Sequence, residues 1–250
     1  MSTHRVYVDR ELIAGDVGCT IVVEGDEARH AASVKRLTVG ETVEVLDGLG
    51  AVASCVVEGI DPGKNKRPPM LRLVVRAVAR AEPVRPRVRV LAPIPKADRL
   101  SWMIEQLSQV GAASWTPLTT ARSVGMAADL RPDRLARIAR EAAKQCGRAY
   151  TLVIDAPADL RTIDMGDLAR AGGVLVADAG GERGGIDAGG TEAWSVFVGP
   201  EGGFAAEELA RFEAAGVRGV ALGPHVLRLE TAAVVATAML LRGARTDPGR

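Results

Sequence analysis

"SVFVGPEGGFAAEELARF", Ser195 to Phe212, decides how the second half of this chain folds. The short run Ser195–Val198 ends in Gly199-Pro200-Glu201-Gly202-Gly203, and helical spacing begins at once over Ala205–Phe212. An apolar run bounded by Gly and Pro reads as a buried strand. The stretch therefore reads strand, tight loop, helix. Glycine-rich loops in that position often cradle a phosphate, because the amides of a helix N-terminus face the ligand. Here a carboxylate, Glu201, stands in the loop and would repel a phosphate. No Gly-x-x-x-x-Gly-Lys-Ser/Thr motif occurs anywhere in the chain. The loop points instead to a ligand that is neutral or positive where it meets Glu201. Taken alone, a plain strand-to-helix turn with Glu201 complementing the helix N-terminus is an equally good reading.

A second loop shifts that balance. After the apolar run "GVRGVAL" the chain reads "GPHVLRLETAAVVATAML", another Gly-Pro exit followed by Arg228 and Glu230 at the head of a helix that is apolar nearly all round. Such a helix must be buried. In an open α/β sheet the loops at the carboxyl ends of adjacent strands form the ligand crevice. Two Gly-Pro loops so placed can close around one small molecule. A structural ion pair capping the helix is the alternative role for Arg228 and Glu230.

Working outward, Arg87 to Arg242 alternates strand and helix: "RVRVLAP", "ADRLSWMIEQLSQVGA", "SWTPLTT", "PDRLARIAREAAKQCG", "TLVID", "GGVLVAD" and the two strands already described. That rhythm predicts a mostly parallel sheet with helices on both faces. The first eighty residues differ. "HRVYVD", "TIVVE", "ETVEVL", "AVASCVVEGI" and "MLRLVVRAVA" are Val-rich runs separated by turn residues, with "EARHAASVKRL" as a short helix, and predict a small β-barrel or open sandwich. "AEPVRPR", Ala81–Arg87, is the expected linker between domains over 1–82 and 83–250.

Within "VEVLDGLGAVA", Gly48-x-Gly50-x-x-Ala53 mimics a dinucleotide-binding fingerprint. That fingerprint needs a following helix and an acidic residue about twenty positions on. Here the alternating "AVASCVVEGI" follows, so Asp47-Gly48 reads as a hairpin turn.

Composition and charge bound the partners. With 250 residues, 47% hydrophobic and 25% charged, the chain has the make-up of a soluble globular protein. Its net charge of +1 hides an asymmetry: residues 85–150 carry 12 Lys/Arg against 5 Asp/Glu. A local excess of that kind suits a polyanion, since Lys and Arg displace counterions condensed on phosphates; solvated helix faces are the bland alternative. No secretory h-region follows the first basic residues, and the longest apolar run, "AAVVATAMLL", is about half of what spans a bilayer. The expectation is a cytoplasmic protein without a membrane partner. The three cysteines are too scattered for a disulfide framework or a metal spacing, and no metal is expected.

"VGPEGGF" and "LGPHVLRLETA", with "KADRLSWMIEQLSQVGA" and "EAAKQCGR" upstream, resemble the E-type small-subunit ribosomal RNA uridine methyltransferases, a family of the knotted SPOUT class that uses S-adenosylmethionine. "HAASVKRLTVGETVEVLDG" is similar to that family's PUA-like RNA-binding domain. The resemblance runs nearly end to end. It implies an α/β fold with an N-terminal PUA-like β-barrel and a C-terminal SPOUT domain, a mostly parallel sheet and a C-terminal trefoil knot in which the last helix threads back through the sheet. It also implies a homodimer with active sites at its interface, and 16S ribosomal RNA as partner. Carried over by position, Gly199, Glu201 and Gly202 line the donor pocket. Leu222, Gly223 and Leu227 pack around adenine and ribose, and Ala177 completes the pocket where larger apolar residues are usual. His225 stands where the family often has Arg or Lys. Ala205 replaces the usual Ser or Thr cap, at a typical loss of roughly 1 kcal/mol.

The implied product is uridine methylated at the ring nitrogen between its carbonyls. That nitrogen must lose its proton, so a base or a charge-stabilising cation is required. The expected pair is Glu230, directly or through water, as base and Arg228 stabilising the developing charge, with partner-subunit residues as an alternative source of either role. Cys146 would matter only for methylation at carbon, which begins with a thiol adding to the ring. It is expected to be a small buried side chain near a helix end. RNA contacts are expected at His30, Lys35, Arg36, Lys96, Arg122 and Arg148. Rival readings are a ribose or transfer RNA methyltransferase of the same class, an RNA-binding assembly factor without catalysis, and the demoted nicotinamide-linked enzyme.

Overall fold

The computed structural model describes residues 4–34, 36–63, 67–96, 98–125, 128, 130–183, 188–217, 219–242 and 244. It divides into two compact units, one of Met1–Pro83 with Ala143–Thr151, the other of Val84–Ala142 with Leu152–Arg250.

In the first unit, strands β1 (Arg5–Tyr7), β2 (Thr20–Glu24), β3 (Thr42–Leu46), β4 (Ala51–Asp61) and β5 (Met70–Arg80) form one sheet in the order β1-β3-β4-β5-β2. The β1–β3 pair is parallel and the others are antiparallel. Alternate residues point inward, as a half-buried strand requires. Ile21 and Val23, Val43 and Val45, Ala53, Cys55 and Val57, and Leu71, Leu73 and Val75 share one core. Helix α1 (Gly25–Arg29) and a wide π turn over His30–Val34 lie between β2 and β3, adding Ala28 and Ala31 to that core.

Asp47-Gly48 turns the β3–β4 hairpin, with Gly48 at φ 72°. Asp47 is 3% exposed, and its carboxylate accepts from the amides of Leu12, Leu49 and Ala51 at 3.2, 2.7 and 3.0 Å. An antiparallel strand follows the glycines, so this is a turn and not a dinucleotide loop.

The second unit carries β6 (Arg87–Ala92), α2 (Asp98–Val110), β7 (Ser114–Thr119), α3 (Pro132–Cys146, whose last residues belong to the first unit), β8 (Val153–Ile154), β9 (Ala158–Asp159), α4 (Met165–Ala171), β10 (Gly173–Arg183), β11 (Ala193–Val198), α5 (Ala206–Ala214), β12 (Gly219–Ala221) and α6 (Leu229–Leu240). The sheet runs β12-β10-β11-β6-β7-β8, with β9 also on β7, and every described pairing in it is parallel.

Both faces of this sheet are buried, which explains the continuous apolar runs. Val88, Val90, Leu175, Val196 and Val198 face α2, α3 and α6. Their neighbours Leu91, Val176 and Phe197 face the other way, toward Met165 and Leu168 of α4 and Phe212 of α5. The final helix packs on β6, β11 and α2, burying Leu229, Ala232, Ala233, Ala236 and Leu240. Each large side chain so removed from water contributes about 1.5–3 kcal/mol.

Two features were not read from the sequence. Helix α4 and strand β9 fill the stretch after Ile154, and α4 is capped by Asp164, whose carboxylate accepts from Asp167 N–H at 3.0 Å. The strands bearing the two Gly-Pro loops are not adjacent either, because β10 runs between β11 and β12.

Candidate functional site

A cleft enclosing about 150 Å³ opens beside the middle of β10, where β11 and β12 end. That is below the roughly 300–1,000 Å³ of pockets that enclose a whole small ligand. Two Gly-Pro loops supply much of its lining. The first loop contributes Gly199, Pro200, Glu201 and Gly203, the second Leu222, Gly223, His225 and Leu227. Between them Ala177, Asp178 and Ala179 add to the lining, and after Ala177 the strand leaves the ladder: β10 pairs β12 through Ala177↔Val220 and resumes at Glu182↔Val220. A side chain at Gly181 would strike the backbone of Gly219, so glycine alone lets the bulge approach β12 this closely.

The first loop is anchored at both ends. Gly203 at φ 68° closes a turn by donating to Pro200 O at 2.8 Å. Phe204 then drops into the core edge-on to Phe212, ring centroids 5.3 Å apart, and Phe212 in turn meets Phe197 of β11 at 5.0 Å. Such pairs add about 0.5–1.5 kcal/mol each beyond burial. The cap loss expected at Ala205 is partly made good, since Glu208 Oε2 accepts from Ala205 N–H at 2.8 Å. The other oxygen, Oε1, accepts from Ala121 N–H at 2.8 Å, in the loop after β7.

The charge of the cleft decides what it can hold. Asp178 and Glu201 line it, His225 adds an imidazole, and no Lys or Arg is among its described lining residues. Two carboxylates beside the apolar Leu222 and Leu227 suit a ligand that is part apolar and part positively charged. They do not suit a phosphate.

Of the residues expected to bind the donor, Ala177, Gly199, Glu201, Leu222, Gly223 and Leu227 come together in this cleft. Gly202 is not among its lining residues, and its carbonyl accepts instead from Arg122 Nη1 at 2.6 Å. Asp178, Ala179, Gly203 and Ala232 line the cleft without having been singled out. Asp178 had a signal, as the acid that ends "GGVLVAD", but its inclusion depends on the bulge.

Arg228 and Glu230 sit at the start of α6 and face differently. Arg228 is the exposed N-cap residue and its side chain makes no cap hydrogen bond. Glu230 is 5% exposed and is not among the cleft-lining residues. Its Oε1 lies 3.7 Å from Arg99 Nε, on α2, while Oε2 is buried without a hydrogen-bond partner among the described residues. A buried carboxylate oxygen left open in this way costs free energy unless something else binds there.

The residues expected to touch RNA are spread out. His30 is half-buried at the start of the π turn, Arg36 is exposed at φ 51°, and Lys35 lies outside the described residues. Lys96 is exposed, and its carbonyl accepts from Arg99 N–H at the start of α2. Arg122 is exposed but committed to Gly202. Arg148 is half-buried in the first unit, and desolvation lowers its guanidinium to about 10, still protonated at neutral pH. Cys146 corrects an expectation: it is exposed, not buried, and its thiol points at Ala143 O. No cysteine lines the cleft.

Among the described residues no cluster of three or more His, Cys, Asp or Glu is placed to hold a metal, and no helix is long and apolar enough to cross a membrane.

Residues 82–241 match the model of an RNA methyltransferase domain, and residues 23–64 that of an RNA methyltransferase PUA domain. The chain is 36% identical to the ribosomal RNA small subunit methyltransferase E of Mycobacterium bovis over 231 residues, 88% of this chain and 86% of that one. It is 28% identical to the Bacillus subtilis protein of the same name over 233 residues, 87% and 88% of the two chains. The fold matches that of a ribosomal RNA small subunit methyltransferase E from Neisseria gonorrhoeae bound to S-adenosyl methionine, with TM-score 0.78, 20% identity, and 96% and 98% of the two chains covered.

Proposed function

This chain belongs to the ribosomal RNA small subunit methyltransferase E family, and on that premise we propose that it transfers a methyl group from S-adenosylmethionine to ring nitrogen 3 of one uridine in 16S ribosomal RNA. The observation that carries this reading is the cleft beside β10 at the ends of β11 and β12, lined by two Gly-Pro loops and two carboxylates, with no lysine or arginine among the described lining residues. S-adenosylmethionine, when bound, supplies an electrophilic methyl on a positively charged sulfur.

The chain's own residues do the rest. Leu222 and Leu227 offer apolar contact to a flat ring, and the loops around Gly199 and Gly223 admit it without bulky side chains. Asp178 and Glu201 favour positive charge at the cleft. Glu230 takes the uracil N3 proton on its open Oε2, leaving the ring anion to attack the methyl. Arg228, exposed at the head of the same helix, stabilises charge on a uracil carbonyl. In this reading the base is unstacked to reach the site, as chemistry on a ring atom requires.

The reading includes two domains, 1–82 for RNA binding and 83–250 for donor binding and dimerisation, with α6 threaded through the sheet as a trefoil knot. His30, Lys35, Arg36, Lys96, Arg122 and Arg148 are its RNA contacts, although the bond from Arg122 to the donor loop speaks for a different role. Val226, 81% exposed beside the cleft, supports a site completed by a second copy of the chain. The setting is the cytoplasm.

The test uses small ribosomal subunits, and separately their purified RNA, from a strain lacking the modification. After incubation with labelled S-adenosylmethionine, nuclease digestion and mass spectrometry locate the methyl. A single 3-methyluridine is the expected product. A methylated ribose or a labelled transfer RNA points to the sister activities, and donor binding without transfer points to an assembly factor.

A further inference from the structure

The loop that forms half of the cleft is held from outside by two side chains. Glu208, 6% exposed, spends one carboxylate oxygen on Ala121 N–H and the other on Ala205 N–H, each at 2.8 Å. It thereby ties the loop after β7 to the end of the Gly-rich loop. One residue on, Arg122 Nη1 donates to Gly202 O at 2.6 Å and reaches Phe204 O at 3.4 Å. Two short bonds and one longer contact thus join residues 121–122 to residues 202–208, which lie 80 to 87 positions further along the chain.

We propose that Glu208 and Arg122 form a clasp that holds the Gly-rich loop in its donor-binding shape, so that both are positioning residues for S-adenosylmethionine and Arg122 serves the donor rather than the RNA. The inference rests on the reading of the cleft given above. Its physical basis is preorganisation. Gly199, Gly202 and Gly203 leave the loop many conformations when free, and a loop already fixed spends less binding free energy on ordering. The carbonyls of Gly202 and Phe204, held by a guanidinium, are turned toward Arg122. The Glu208 bonds are made by a buried carboxylate and are charge-assisted, the stronger kind.

Calorimetric titration with S-adenosylmethionine tests the clasp in the wild type and in Arg122→Ala, Arg122→Lys and Glu208→Gln. Amide hydrogen exchange at Ala121 and Ala205 in the donor-free chain accompanies it. Protected amides are expected in the wild type, with faster exchange in Glu208→Gln. The donor Kd should rise about tenfold in Glu208→Gln and about three- to tenfold in Arg122→Ala, with partial recovery in Arg122→Lys. The KM for donor should rise while the KM for RNA stays within about twofold.

Unprotected wild-type amides, or unchanged donor affinity in folded variants, overturn the clasp. So does an Arg122→Ala chain that loses RNA affinity and keeps donor affinity. Should Glu208→Gln fail to fold, the exposed Arg122 variants still decide. A wild-type chain that binds no S-adenosylmethionine overturns the cleft reading and this proposal together, and is told from failure of the clasp alone because the wild type itself is then silent.

Discussion

Glu230 Oε1 lies 3.7 Å from Arg99 Nε while Glu230 Oε2 stays buried without a hydrogen-bond partner among the described residues. One oxygen is therefore steadied by a cation and the other is open. Glu230→Gln keeps the shape and removes the base. We expect methyl transfer to fall by about 10²–10⁴, with donor affinity within about threefold, since Glu230 is not a cleft-lining residue. Single-turnover transfer and calorimetry on the same preparation check this, and full turnover in the variant would sink the role.

Arg228 and Arg99 should separate cleanly. Arg228 is exposed at the N-cap without a cap bond, so Arg228→Ala should slow transfer and leave thermal unfolding within about 1 °C of wild type. Arg99→Ala takes the cation from a buried carboxylate and should lower stability by about 1 kcal/mol, discounted because Arg99 is 38% exposed. Paired melting curves and rates distinguish them. Equal destabilisation by both would mean that Arg228 has a structural partner.

In the first unit Lys144, 6% exposed, pairs with Glu27, which also accepts from Tyr7 N–H at 3.3 Å. Lys144→Met leaves that carboxylate without its cation. Urea unfolding should show a loss of about 2–3 kcal/mol, below the usual range for a buried pair because Glu27 keeps 27% exposure. A loss under half that figure would mean water replaces the lysine.

The three cysteines should report the fold chemically. Cys19 and Cys146 are exposed, whereas burial pushes the Cys55 thiol up to about 11. At pH 8 a thiol reagent should label two positions quickly in the native chain and the third only on unfolding. Mass spectrometry of the labelled peptides identifies them, and early labelling of Cys55 would contradict the β4 packing.

Asp159 is a marked local source of acid sensitivity. The Arg161 guanidinium and backbone amide hold the Asp159 carboxyl at about 2, below its ordinary 3.8. A depressed folded value contributes stability above the unfolded value and loses it as pH falls from 3.8 toward 2. Asp159→Asn should therefore destabilise slightly at pH 6 and make no difference near pH 2. The effect is small because Arg161 is 81% exposed. Denaturation midpoints at the two pH values measure it.

What the sequence determined by itself was periodic or positional. Alternating Val, Ile and Leu marked β2 through β5, apolar runs leading into Gly-Pro marked β11 and β12, and the all-round apolar α6 announced its own burial, because side-chain periodicity follows backbone geometry. Two Gly-Pro loops pointed to one ligand crevice, and most of the residues picked from them do meet in it. Strand order was decided only in three dimensions: inserting β10 between β11 and β12 depends on which edges pair, a non-local choice invisible in any local pattern. The same holds for the bulge that brings Asp178 to the cleft, and for Arg122, whose partner Gly202 lies eighty residues away. Glu230 carries the lesson furthest. Its identity as a carboxylate at the head of an apolar helix was plain in the sequence, but the pairing of one oxygen with Arg99 of α2 was fixed by helix packing. A side chain's chemistry is local, whereas its neighbours are chosen by how whole elements bury their apolar faces.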